Sequence, residues 1–103
     1  MNQEMLKKYA KMIDAYVKPN IFASCSPACG VLKHPYVDPS AQYAGNLWDW
    51  DSYWVIKAMI LALERYRSDE NFDYSGKREK LLLHAKGTIA NFFDHQEEDG
   101  FIP

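Results

Sequence analysis

Leu47-Trp48-Asp49-Trp50-Asp51-Ser52-Tyr53-Trp54-Val55-Ile56-Lys57-Ala58-Met59-Ile60-Leu61-Ala62-Leu63 decides how this chain folds. From Val55 onward the apolar residues Val55, Ile56, Met59, Ile60 and Leu63 recur at three- and four-residue spacing, and Ala58 and Ala62 permit close packing. That period belongs to an α-helix. Asp51 and Ser52 are both good N-caps, so the helix is expected to begin there and to run to about Tyr66 or Arg67. All three tryptophans, Trp48, Trp50 and Trp54, then cluster with Asp49 and Asp51 at a loop-to-helix junction. On a helix starting at Asp51, Trp54 and Val55 share its face, while Trp48 and Trp50 precede the helix and can point into a cavity above its N-terminus. That end carries unsatisfied N–H groups and positive dipole character. Flat aromatic faces beside carboxylate acceptors suit a sugar ring, whose C–H face stacks on indole and whose hydroxyls donate to carboxylate oxygens.

Downstream, Ser68 to Gly76 is polar and reads as a connection. A further helix is expected from about Lys77 to Phe93 or His95, with Leu81, Leu82, Ala85, Ile89, Phe92 and Phe93 as its apolar stripe. Gly87 weakens it by up to ~1 kcal/mol relative to Ala. The segments 51–67 and 77–95 thus form a helical hairpin. Asp99-Gly100 is a turn signal. Upstream, Met5, Leu6, Tyr9, Met12, Ile13, Tyr16 and Val17 mark an amphipathic helix within 1–18, with Asn2 as its cap and Pro19 as its stop. Between the N-terminal helix and the hairpin, 19–50 contains Pro27, Gly30, Pro35, Pro39 and Gly45 and is expected to be irregular, with Val31 and Leu32 locally extended. A loop this long in a compact domain is usually functional. The fold class is therefore all-α: an N-terminal helix, a long irregular loop and a helical hairpin in one partial domain, 1–103.

The chain has 103 residues, which allows one small domain with a modest core. Twelve Lys and Arg against 14 Asp and Glu give a net charge of −2. No block of like charge is long enough to attract nucleic acid or an anionic membrane, so neither is an expected partner. No apolar stretch approaches the roughly 20 residues that span a bilayer. Gln3, Glu4, Lys7 and Lys8 do not resemble a signal peptide, and the simplest placement is cytoplasmic.

Other constellations carry less. Cys25 and Cys29 are separated by Ser-Pro-Ala, which is neither a thioredoxin-type spacing nor half of a paired zinc site, so two reduced, partly buried thiols are the simplest reading. His34, His84 and His95 are scattered, no third ligand is evident, and neither a metal nor another cofactor is implied. Ser26 and Ser52 lack a nucleophile-elbow context, and there is no Gly-rich phosphate loop.

The string Leu47-Trp48-Asp49-Trp50-Asp51-Ser52-Tyr53-Trp54, followed by an apolar helix, resembles a motif of glycosidases built on an (α/α)6 toroid of paired helices. These include trehalases, processing α-glucosidases, mannosylglycerate hydrolase and glycogen-debranching relatives. The likeness is greatest to the W-x-W-D-[ST]-x-[FW] form of the α-glucosidase and mannosylglycerate hydrolase branch. Trehalases share only the Trp-Asp-Ser-Tyr core. The ending Gln96 to Pro103, with Asp99-Gly100-Phe101-Ile102-Pro103, is similar to a loop after a toroid helix. The resemblance covers about ten residues well and the flanking helices only in pattern.

The resemblance implies that Trp48 and Trp50 wall the subsite for a non-reducing sugar and that Asp51 accepts hydrogen bonds from ring hydroxyls. Tyr43 is a weaker wall candidate. The implied chemistry is hydrolysis of an α-linked glucoside or related sugar with inversion, which needs two carboxyl groups about 6.5–9.5 Å apart. In the family those groups come from later segments. Glu97, Glu98 and Asp99 form a charged turn and are not nominated, so the catalytic pair is unassigned. A toroid needs about a dozen helices and this chain supplies roughly three. It reads as a fragment or truncated form of such an enzyme, contributing sugar-binding residues, with a saccharide and the remainder of the toroid as partners. Two other readings stay open: the tryptophans are core anchors with Asp51 as a cap, or the chain is a small helical interaction module that self-associates with Trp48, Trp50 and Trp54 as interface anchors.

Overall fold

The computed structural model describes residues 2–38, 47 and 49–102, and the fold is all-α with a two-stranded ribbon. Helix α1 spans Gln3–Asn20, strands β1 and β2 are Cys25–Ser26 and Tyr36–Val37, and helices α2 and α3 span Asp49–Tyr66 and Lys77–Asp94. Asn2 caps α1, its side chain accepting from the Met5 N–H at 2.8 Å. Pro19 lies inside α1 rather than beyond it. In the last turn a proline removes only one ladder hydrogen bond, and the Asn20 side-chain amide donates to the Tyr16 carbonyl at 2.7 Å, closing that turn.

Helix α2 also departs from its expected start. It opens at Asp49, so Trp50 and Asp51 lie in its first turn and neither Asp51 nor Ser52 is its cap. Two physical causes favour the earlier start. Asp49 and Asp51 both sit in the first turn, where negative charge is favoured by the helix dipole. Ser52 is drawn inward instead, buried with its hydroxyl donating to the Val37 carbonyl at 3.3 Å. Gly76, at φ 74°, begins α3 in a left-handed conformation that suits glycine. Before it, Asp69 and Asp73 accept from the backbone N–H groups of Asn71 and Ser75 at 2.8 and 3.0 Å, which orders the α2–α3 connection.

The stretch expected to be irregular contains β1 and β2, paired antiparallel with Cys25 opposite Val37 and Ser26 opposite Tyr36. Cys29 and Leu32 exchange backbone hydrogen bonds at 2.8 and 2.9 Å and close the ribbon between them. The ribbon is seated on α3 by polar groups. Asn91, fully buried, clamps the His34 backbone from both sides: its side-chain oxygen accepts the His34 N–H and its amide donates to the His34 carbonyl, both at 3.0 Å. Thr88 Oγ1 accepts the Val37 N–H at 2.9 Å and donates to the His84 carbonyl at 2.8 Å. Gly87, expected only to weaken α3, is what lets the ribbon come this close. A Cβ there would stand 1.8 Å from the Pro35 carbonyl oxygen. His34 Nε2 pairs with Asp94 at 2.7 Å and His95 Nε2 meets the Val31 carbonyl at 3.1 Å, extending the seam along the last turn of α3.

The apolar core joins Ile21, Val37, Met59, Leu63, Tyr66 and Leu81. Helix α1 contributes little to it: none of its residues is buried, and Met5, Leu6, Tyr9, Met12, Ile13 and Tyr16 are exposed. Polar pairs near its C-terminal end tie it to the end of α2 and to the connection that follows. Asp14 accepts from Arg65 Nε at 3.0 Å and from the Tyr66 hydroxyl at 2.5 Å, and Lys18 pairs with Asp69. The Arg65 and Tyr66 hydrogen bonds hold the Asp14 carboxyl below its ordinary range. The Lys18–Asp69 bond lowers the Asp69 carboxyl and raises the Lys18 ammonium. The molecule is elongated, 57 × 30 × 22 Å, with a radius of gyration of 16.3 Å, against about 13 Å for a compact chain of this size.

Candidate saccharide-binding site

Three aromatic rings stand together on the first two turns of α2. Positions 50, 53, 54 and 57 are neighbours on a helix surface. The Trp50 and Trp54 indoles lie nearly parallel, 13° apart with ring centres separated by 6.3 Å. Tyr53 meets both edge-on, its ring centre 5.1 Å from that of Trp54 and 6.3 Å from that of Trp50. Lys57 Nζ sits 5.4 Å from the Trp54 ring centre, within cation–π range. The rings therefore order one another, yet they stay in solvent: Trp50 is 68% exposed and Trp54 55%. A core anchor would be mostly buried. Within this structure, Trp50 and Trp54 are surface groups.

The carboxylates flank this platform. Asp49 Oδ1 accepts the Trp50 N–H at 2.8 Å, which fixes the first turn. Asp51 is exposed, and its side chain makes no hydrogen bond with another described residue. It stands three positions before Trp54, so the two residues share a side of the helix. Trp48 and Tyr43, the other two residues expected at the site, lie outside the described residues. The structure thus brings Trp50 and Asp51 into adjacent places on one helix end. It adds Tyr53 and Lys57, which the reading of the sequence passed over although their spacing from Trp50 was visible.

Beside the platform runs an apolar cleft of about 350 Å³ between α2 and α3. Tyr53, Ile56 and Ile60 line one wall, and Ala85, Ile89 and Phe92 line the other. Asp49, Ser52, Lys57 and Thr88 also line it. The ribbon packs on α3 at Gly87, Thr88 and Asn91, and Thr88, like Ser52, both lines the cleft and bonds Val37 of the ribbon.

Glu97, Glu98 and Asp99 are exposed at the turn after α3. There the Glu97 N–H donates to the Phe101 carbonyl at 2.7 Å and Gly100 takes φ 94°. Among the described residues no cluster of three or more His, Cys, Asp or Glu side chains is placed to hold a metal ion, and no helix is long and apolar enough to cross a membrane. Cys25 and Cys29 are free thiols, and burial pushes the Cys25 thiol up.

Compared with family models, with curated proteins and with solved structures, the chain matches none.

Proposed function

We propose that this chain is part of a glycoside hydrolase of the (α/α)6-toroid kind, inverting an α-linked glucoside or related sugar, and that it supplies sugar-binding residues rather than the catalytic pair. The reading rests on the W-x-W-D-S-x-W resemblance at positions 48–54. The observation that carries it is the exposed Trp50–Trp54 platform with the unengaged Asp51 carboxylate beside it. A pyranose would lay its C–H face on an indole and donate hydroxyl hydrogens to Asp51. Trp48 and Tyr43 complete the proposed subsite.

The shape of α2 supports a larger helical setting. Its core-facing side carries Ser52, Met59, Leu63 and Tyr66, and its opposite side carries Trp50, Trp54 and Leu61, all exposed. A helix apolar on both sides is characteristic of one sandwiched between other elements. The exposed apolar faces also support the second reading, a helical module that associates through them. The readings separate in a tryptophan-fluorescence titration with glucose, trehalose, maltose and mannose, with light scattering on the same samples. A sugar subsite gives saturable quenching at constant mass, abolished in Asp51→Ala. An association module gives no response to sugar and a mass that rises with concentration. Glycosidase turnover by the purified chain would overturn the assignment of a non-catalytic role.

A further inference from the structure

We infer that the α2–α3 cleft binds a small amphiphile, a medium-chain monocarboxylate whose alkyl chain lies in the cleft and whose head meets Lys57. The inference does not rest on the saccharide reading, because neither Trp50 nor Asp51 lines the cleft. At about 350 Å³ the cleft has the size of a small-molecule site. It presents too little surface for an interface with another protein.

What the interior offers a guest is apolar. Tyr53, Ile56 and Ile60 face Ala85, Ile89 and Phe92 across it. The two buried polar members of the lining are already engaged. The Ser52 hydroxyl donates to the Val37 carbonyl at 3.3 Å. The Thr88 hydroxyl donates to the His84 carbonyl at 2.8 Å and accepts the Val37 N–H at 2.9 Å. Neither hydroxyl hydrogen is left for a guest, so a polar body would lose its water and gain no donor there. An alkyl chain suffers no such loss. The walls run over 53–60 on one helix and 85–92 on the other, about 10 Å along the axis, which suits an extended chain. An apolar cavity of about 150 Å³ holds the six carbons of benzene, so about ten carbons suit this larger, open-sided cleft.

Charge selects the head group and its direction. Lys57 lines the cleft, and its ammonium pairs with no carboxylate among the described residues; it stands 5.4 Å from the Trp54 ring centre. The Tyr53 hydroxyl, one helical turn earlier, is a second donor without a hydrogen bond to another described residue. Two donors call for an anionic acceptor. Asp49 also lines the cleft, two turns before Lys57 and about 12 Å along the axis. Its carboxylate repels an anionic head from that end, which leaves the Lys57 end for it.

The test titrates sodium decanoate, kept below its micelle concentration, into the full chain labelled at its isoleucine methyl groups. Saturable shifts are expected at Ile56, Ile60 and Ile89, while Ile13, exposed on α1, stays in place. Lys57→Met keeps the apolar stem and removes the charge, and is expected to weaken binding about threefold to fivefold, with Lys57→Arg restoring it. Ala85→Phe fills the cleft and is expected to weaken binding at least about tenfold. Circular dichroism checks that each variant keeps its helices. The inference is overturned if the three cleft methyls do not respond to decanoate, or if Ile13 responds as strongly as they do. Affinity unchanged in a folded Ala85→Phe chain overturns it too, and affinity unchanged in Lys57→Met overturns the assignment of the head. Trp50 and Asp51 are untouched in every variant, so saccharide quenching of the same proteins tests the sugar reading separately.

Discussion

A methyl group placed at Gly87 puts the packing of the ribbon on α3 to a direct test. At an ordinary exposed mid-helix position, Gly→Ala stabilises a protein by up to about 1 kcal/mol. Here the new Cβ would stand 1.8 Å from the Pro35 carbonyl oxygen, 2.9 Å from its carbonyl carbon and 3.3 Å from His34 Cβ. The nearest atoms are backbone, so no side-chain rotation relieves the clash. Restoring van der Waals separation moves the ribbon by more than an ångström, against hydrogen bonds that stand at 2.9–3.0 Å. Both arms of the Asn91 clamp and the Thr88–Val37 bond lie within this seam. Three hydrogen bonds at about 1 kcal/mol each, offset by the gain in helix propensity, give a net loss of about 2 kcal/mol for Gly87→Ala. In a domain of this size that lowers the melting temperature by roughly 10 °C. Urea and thermal unfolding followed by far-ultraviolet circular dichroism read it directly. A Gly87→Ala chain equal to or more stable than wild type would refute the reasoning.

Three further outcomes follow from the same geometry. Asn91→Leu keeps roughly the volume but strands the N–H and carbonyl of His34, and is expected to destabilise the fold by about 2–3 kcal/mol in the same assay. Asp14 and Asp69 have folded-state pKa values below their unfolded ones, so their stabilising contribution is present above about pH 4 and is lost as pH falls through the depressed values. Lys18 is raised, so its contribution is present below its ordinary pKa and is lost as pH climbs through the raised value. Unfolding midpoints against pH should show the acid loss in wild type and a smaller one in Asp14→Asn/Asp69→Asn. Cys29 is exposed, whereas Cys25 is half-buried and its thiol is pushed up, so a disulfide exchange reagent at mildly alkaline pH should titrate one thiol fast and one slowly. Cys29→Ser should remove the fast phase.

The three helices were legible because their apolar positions repeat over several turns, and local periodicity survives without knowledge of the tertiary structure. Their ends were less so. Pro19 reads as a stop, yet a proline in a final turn forfeits a single hydrogen bond, and α1 continues to Asn20. Asp51 and Ser52 read as caps, but Ser52 is taken by a partner 15 residues away, the Val37 carbonyl, and α2 begins at Asp49. The ribbon was illegible for the same reason on a larger scale. Its seat is built by Gly87, Thr88 and Asn91, which look like weak helix formers when read locally. Asn91 finds its partner 57 residues upstream. At the candidate site the cluster of Trp50, Asp51 and Trp54 was visible as a string. Its character as an exposed platform was not, because apolar composition alone does not separate a core face from a presented one.

The central claim is that the first turn of α2 binds a sugar through Trp50 and Asp51. Nitrogen-15 spectra of the tryptophan indole groups test it most directly, with the three resonances assigned by single Trp→Phe variants. On addition of maltose or trehalose, the Trp50 indole signal is expected to shift in a saturable way, at constant molecular mass, and to stop responding in Asp51→Ala. Indole signals that stay in place up to the solubility limit of every sugar tried, in a chain that remains folded, would contradict it.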